Sequence, residues 1–282
     1  MTISTIGTTG TYTTINAWEA AAPAGTLSAP WQGNCQNQTF SGGDGSGAVI
    51  TISGNTVDAT NHKILTTDTG ASFYDNANKL TNALKYNASN GAAITQSIAY
   101  NAEIVISEPF TEVTGLQLKS TQTAGGRQHS PIYISTSNSS PAVITRCIVE
   151  TSGANNAVIG VLNCGYKAIN CLLVQRQNNA GAYGIDSQYT NTSSGVFNCT
   201  IVKPSDDGAN ATGVRNASGP GQIVKNCAIF GFSAASSGNM SASGGFNATD
   251  NASAPGSNNQ VSATYADQFQ GVTDATMDYR AK

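Results

Sequence analysis

Ionisable side chains are scarce in this 282-residue chain, with 16 acids, 13 Lys and Arg, and two His, so the chemistry open to it can be taken group by group. Cleavage of a glycosidic bond needs two carboxylates about 5–10 Å apart across the scissile bond. Asp186 follows Gly184-Ile185, Asp206 and Asp207 stand in an Asp-Asp-Gly turn after Lys203-Pro204, and Glu103, Glu108 and Glu112 crowd one region. Asp186 with Asp207 is the best acid pair available, yet the residues aligned with Asp186 in the neighbouring repeats are Leu162 and Arg215. A lyase would ask for a calcium-binding acid cluster beside a Lys or Arg. Arg176, Lys203 and Arg215 flank Asp186 and Asp206, but no acid cluster recurs. The Asp-Asp-Gly reads as a turn and the three glutamates as solvated surface.

Nucleophilic and metal chemistry fare no better. His62 and His129 lie in no triad-like motif, and His129 beside Arg127 reads as a contact residue in an exposed loop. Ser41 to Gly47 is Gly-rich but lacks the Lys-Ser/Thr of a phosphate loop. Four of the six cysteines recur too regularly to form a tetrahedral site. The expectation is therefore a protein that is not an enzyme, with no catalytic, cofactor-binding or metal-ligating residue and no cofactor.

What would position these residues is a repeat. Val113-Thr-Gly-Leu-Gln-Leu118, Ile144-Thr-Arg-Cys-Ile-Val149, Ala168-Ile-Asn-Cys-Leu-Leu173, Val196-Phe-Asn-Cys-Thr-Ile201 and Val224-Lys-Asn-Cys-Ala-Ile229 align on Leu116, Cys147, Cys171, Cys199 and Cys227, at spacings of 31, 24, 28 and 28 residues. A fixed period in this range marks a repeat architecture. Each phrase is short and rich in Val, Ile and Leu, which suits strands. A second phrase (Val158–Val161, Tyr183–Ile185, Thr212–Val214) precedes the last three, with Asn, Gly and Ser between. Stacked units of this kind bury a common core as a coil of parallel strands about 4.8 Å apart. The expected fold is all-β, a single-stranded right-handed parallel β-helix, the hand following from that of parallel crossovers. The recurring cysteines then form a column of small buried thiols, reduced because stacked side chains point alike. Asn170, Asn198 and Asn226 beside them either stack as an amide ladder or accept a left-handed bend at a corner.

The chain divides into an N-terminal segment (1–25), the β-helix (26–230), and an irregular C-terminal segment (231–282) expected to cover the end of the coil. The first segment holds a helix within Thr11–Ala22, capped by Thr13 or Thr14 and closed by Pro23 and Gly25. Its expected task is to cover the first rung, whose apolar core and strand edge would otherwise be open. Charged residues are only 10% of the chain and the net charge is −3, which argues against a nucleic-acid partner. The opening residues show neither a secretory leader nor a membrane span, so synthesis in a cytoplasm and no membrane insertion are expected.

Ile6-Gly-Thr-Thr-Gly-Thr-Tyr-Thr-Thr-Ile-Asn-Ala-Trp-Glu-Ala-Ala21 resembles the opening of phage-encoded right-handed (pectate-lyase-like) β-helix virion proteins. Tyr86–Gly91, Glu108–Leu118 and the Asn-Cys rungs are similar to the body of that family, so the likeness reaches to about residue 230. The resemblance implies a structural component of a bacteriophage particle, a capsid decoration or short head fibre. Its implied partners are its own copies as a homotrimer, the capsid or tail proteins, and host-surface polysaccharide. The alternative it implies is a tail spike or tail fibre with depolymerase or lyase activity.

Overall fold

The computed structural model describes residues 1–42, 48–75, 82–96, 102–121, 130–136, 140–151, 157–162, 164–177, 181–188, 194–204, 211–273 and 275–281. Arg127, His129, Asp206 and Asp207 lie outside them. The chain is a right-handed parallel β-helix with three long sheets. The first stacks eight strands from Thr2–Ile6 to Ile223–Lys225, the second eight from Thr39–Phe40 to Ala248–Thr249, and the third seven from Ile50–Ile52 to Ala234–Gly238. One full rung runs Ala142–Thr145, Ile148–Thr151, Ala157–Val161, one strand per sheet.

Register places like on like. Val113, Ile144, Ala168, Val196 and Val224 form one inward column. Leu118, Val149, Leu173, Ile201 and Ile229 form a second, and Ile104, Ile132, Ile159, Ile185 and Val214 a third. All fifteen are buried, and burying a side chain of the larger aliphatics contributes about 1.5–3 kcal/mol. Between the first and second sheets the chain bends through a left-handed residue at Arg146, Asn170, Asn198 and Asn226, with φ of 54°, 54°, 53° and 55°. The corner reading of the asparagines therefore holds at all three. The amide ladder is present where Asn226 Nδ2 donates to Asn198 Oδ1 at 3.1 Å. The six cysteines are free and buried. In the column, each thiol donates two residues back, Cys147 to Thr145 O and Cys171 to Ile169 O at 3.4 Å, Cys199 to Phe197 O and Cys227 to Lys225 O at 3.3 Å. Burial holds the Cys147 and Cys199 thiols well above the usual range and hence protonated.

The N-terminal helix spans Ile15–Ala20, with Thr14 Oγ1 accepting from the Ala17 amide at 3.1 Å. It buries Ile15 and Trp18. Trp18 and Ile6 fill the space over Gly33, where a Cβ would stand 2.6 Å from Ile6 Cδ1 and 2.7 Å from Trp18 Cε2. The first rung is closed in this way. No helix among the described residues is long and apolar enough to cross a membrane.

Two boundaries differ from the sequence reading. The coil does not stop at Phe230: Ala234–Gly238 and Ala248–Thr249 extend the third and second sheets, and bridges join Gly245 to Ser257 and Ala248 to Gln260. Phe246 and Asn258 repeat the left-handed bend at φ 56° and 54°, with Asn247 and Asn259 in the place of the cysteines. The last residues do not cover the open end. Tyr265, Phe269, Met277 and Tyr279 pack on the outward face of the second sheet, against Leu172, Val202 and Phe230. Phe230 stacks on Tyr265 with centroids 5.5 Å apart and meets Phe269 edge-on at 5.6 Å. The segment is a strap along the side of the coil.

Asp278 fixes the strap's end. It accepts from the Leu84 amide at 2.9 Å and from Arg280 Nε at 3.0 Å through both oxygens. Burial alone would raise its pKa, but the Arg280 guanidinium and the Leu84 amide outweigh it and hold the carboxyl below the usual range. A depressed pKa contributes stability above the unfolded value of 3.8, and that stability is lost as pH falls through the folded value. The Tyr279 amide, which donates to Leu84 O at 3.1 Å, is therefore expected to lose exchange protection below about pH 4. Asp278→Asn should produce the same loosening at neutral pH, and protection that stays constant in acid would refute the account.

Candidate functional site

On the third sheet, side chains in register form a row along the outside of the coil: Tyr133, Gly160, Asp186, Arg215 and Ser237. The inward Ile185 and Ser187 fix the direction of Asp186, since Ser187 Oγ reaches the buried Tyr166 hydroxyl at 3.4 Å and alternation turns the residue between them outward. Sequence alignment placed Leu162 opposite Asp186, but the neighbour is Gly160. From the Ile148–Thr151 rung to the next, the second sheet repeats at 24 residues (Ile148 to Leu172) and the third at 26 (Ile159 to Ile185). Two extra residues in the intervening connection shift the alignment. The Arg215 partner stands as read.

Arg215 closes over the carboxylate. Its Nε lies 3.6 Å from Asp186 Oδ1, its Nη1 donates to the Tyr183 hydroxyl at 2.7 Å, and its guanidinium sits 4.8 Å above the Tyr183 ring. The Asp186 side chain is 3% exposed and that of Arg215 32%, so the guanidinium is the wet face of the pair. Gly160 leaves no side chain on the other flank, and Tyr133 stands one rung beyond, about 10 Å from Asp186 at the usual strand spacing. The row holds one carboxylate, so it lacks the acid pair of glycoside cleavage. A carboxylate beside a guanidinium suits activation of a water, with stabilisation of the oxyanion that follows.

The other sequence candidates go elsewhere. Arg176 belongs to Glu150 on the second sheet at 3.7 Å, which Lys119 also meets at 2.9 Å. Lys203 is buried, with its carbonyl accepting from Tyr265. His62 stands just before the first-sheet strand Lys63–Thr67, 3.4 Å from Glu112. Glu103 and Glu108 are buried rather than solvated, and Glu108 pairs with the buried Lys63 at 3.1 Å. Among the described residues no group of three or more His, Cys, Asp or Glu is placed to hold a metal. The sequence reading did not single out Tyr133, Gly160 or Tyr183. Ile132-Tyr-Ile134 does carry the signal, an aromatic turned outward between two inward isoleucines.

Fold and row together define a right-handed parallel β-helix whose outward sheet face carries an aromatic, a carboxylate and a guanidinium in line. No protein-family model and no curated protein matches the chain. Two solved structures of the Aspergillus niger pectin methylesterase, in penultimately deglycosylated and deglycosylated forms, superpose on 99% of this chain and 89% of theirs, at 13% identity and a TM-score of 0.50. At that identity the likeness is one of fold. It corrects the expectation of a chain that is not an enzyme: the fold followed nearly end to end here is one on which enzymes are built, and a scarcity of acid pairs gives no ground for excluding catalysis.

Proposed function

We propose that this protein is a surface component of a bacteriophage particle that engages host-surface polysaccharide along the third sheet and removes ester substituents from it at Asp186 and Arg215. The observation that carries the reading is the row itself, with its single carboxylate under a guanidinium, its glycine notch and its aromatic neighbour. Arg215 swings from Asp186 to the ester carbonyl, which frees the carboxylate to take a proton from water. The resulting hydroxide attacks the carbonyl carbon, the guanidinium holds the oxyanion, and the acyl C–O bond breaks, so that the sugar oxygen of an acetyl ester or the methoxide of a methyl ester leaves with the proton returned by Asp186. The virion reading rests on the sequence resemblance, and the methylesterase likeness supports the ester chemistry as an analogy of fold.

The test is release of acetate or methanol from acetylated and methyl-esterified polysaccharides. Asp186→Asn is expected to lower release by about 100-fold or more, the scale of a lost general base. Arg215→Ala should lower both release and polysaccharide binding. Release that survives Asp186→Asn would overturn the assignment, and absence of the chain from purified particles would overturn the virion reading.

A further inference from the structure

On the outward face of the first sheet, away from both the strap and the Asp186–Arg215 pair, Lys167 stands between the buried Tyr166 and Ala168. Phe197 and Lys225 turn outward in the same way beside the buried Val196 and Val224. In register, Lys167 lies beside Gly195, Phe197 beside Lys225, and Lys225 beside Gly245, which Phe246 follows. Consecutive rungs thus present a cation, an aromatic, a cation and an aromatic.

The Phe197 ring lies down along its own strand. A Cβ at Gly195 would stand 2.3 Å from Phe197 Cε2 and 2.4 Å from its Cζ, so the glycine makes room for the ring. The lean carries it from the row of Lys225 towards the row of Lys167, with the half-buried Ile169 and Ile223 on the neighbouring rungs. Phe246 is 58% exposed and adopts φ 56°, a conformation that bulky residues rarely take. The same corner holds Asn170, Asn198, Asn226 and Asn258 on other rungs. An exposed phenylalanine on a backbone that disfavours it points to function rather than to folding. The Lys225 ammonium is 5.9 Å from the centre of its ring.

The charge of this face is unbalanced. Neither Lys167 nor Lys225 forms an ion pair among the described residues. Residues 162–171, 188–199, 217–227 and 239–247, which hold these positions and the turns on either side, contain no Asp or Glu. The acid in the strands of this sheet, Glu112, is two rungs from Lys167 and faces His62. The two lysines are two rungs and two strand positions apart, about 12 Å between Cα atoms, with Phe197 between them. A neutral glycan would leave both ammonium groups unmet, and an acidic peptide has no flat rings to lay on the phenylalanines. A chain of uronic acid units offers both, its carboxylates to the lysines and the C–H faces of its pyranose rings to Phe197 and Phe246.

We propose that the first sheet binds an acidic polysaccharide of uronic acid units, laid across the rungs from Lys167 to Phe246. The inference rests on the polysaccharide reading above for taking a sugar as the occupant, while the sheet itself supplies the charge and the place. The probes are hexamers of galacturonate and of mannuronate, titrated into the intact chain by calorimetry and followed in the backbone amide spectrum, with maltohexaose and hexaglutamate as controls. At least one hexauronate is expected to bind, with shifts centred on Lys167, Phe197, Lys225 and Phe246, and more weakly as salt screens the lysines. Lys167→Gln and Lys225→Gln should each weaken binding about fivefold, the scale of an exposed ion pair. Phe246→Asn, the residue that other rungs carry at this corner, should weaken it by a similar factor without changing the salt dependence. Arg215→Ala should leave it unchanged, and the amide spectrum shows that each variant is folded. The proposal is overturned if neither hexauronate binds, if binding is indifferent to these three variants, if it is lost in Arg215→Ala, or if hexaglutamate or maltohexaose binds as tightly. The two readings fail separately. Ester release that persists while neither hexauronate binds removes this proposal alone, whereas hexauronate binding weakened by Lys167→Gln and Lys225→Gln sustains it even where Asp186→Asn leaves ester release intact.

Discussion

Lys63→Ala is expected to cost about 3–5 kcal/mol, the scale of breaking a buried ion pair by deleting one partner. The Lys63 side chain is 1% exposed, and its ammonium holds Glu19 Oε1 at 2.7 Å, Glu108 Oε1 at 3.1 Å and Ser53 O at 2.7 Å. The same carboxylate oxygens accept from backbone, Glu19 from the Ser53 amide at 2.9 Å and Glu108 from the Asn55 amide at 2.5 Å. One cation thus joins the capping helix to the first coils. Without it two buried carboxylates face each other. Burial already raises the Glu19 pKa, with Lys63 opposing the rise. In the variant that opposition is gone, so the folded protein takes up a proton more readily than the unfolded one. The deficit should then shrink as pH falls towards the unfolded value of 4.5. Trp18 and Trp31, both buried at this end and joined by Trp31 Nε1 donating to Trp18 O, make tryptophan fluorescence in a denaturant series the natural readout. Lys63→Met keeps the stem, and a loss equal to that of Ala within about 1 kcal/mol assigns the effect to charge rather than packing. A loss below about 1 kcal/mol in both variants, or one that does not vary with pH, would refute the argument.

None of that triad was legible in the chain. Glu19, Lys63 and Glu108 are far apart in sequence, and Glu108 looked like one of three solvated acids. What reads well from sequence here is what repeats. The inward columns, the left-handed corner and the capping helix recur or carry local signals, so position in the period gives position in space. The row at Asp186 was half legible. Arg215 followed from the period, but Gly160 did not, because connections between sheets change length by two residues and only the strands keep register. The strap was missed for another reason. Leu172-Leu-Val174 and Ala228-Ile-Phe230 are continuous apolar runs, the mark of a strand buried on both faces. The repeat accounts for their inward residues alone, and Leu172, Val174 and Phe230 on the other face are covered by Tyr265, Phe269 and Tyr279.

The same limit explains the end of the coil, and Asn247 tests it. Its side chain is buried, with Oδ1 accepting from the Cys227 amide at 2.9 Å and Nδ2 donating to Val224 O at 3.0 Å and Pro255 O at 2.8 Å. Its own amide donates to Asn259 Oδ1 at 2.9 Å. Two rungs earlier a sulfur does part of this work, since the Cys171 amide donates to Cys199 Sγ at 3.5 Å. Asn therefore continues the cysteine column by serving the same backbone groups, at a spacing too short for the period to reveal it. Asn247→Leu, close in volume, strips the Cys227 amide of its acceptor, while Val224 O keeps the Gly245 amide and Pro255 O keeps Asn259 Nδ2, and is expected to cost about 1–3 kcal/mol, the scale of one unsatisfied buried group. Asn247→Cys returns an acceptor to the Cys227 amide and should cost roughly half as much. Urea midpoints with unchanged slopes measure both, and hydrogen exchange at the Cys227 amide separates them: protection persists in Cys and is lost in Leu. If Leu is tolerated within about 1 kcal/mol, the column ends at Cys227 and the last rungs are held by backbone bridges alone.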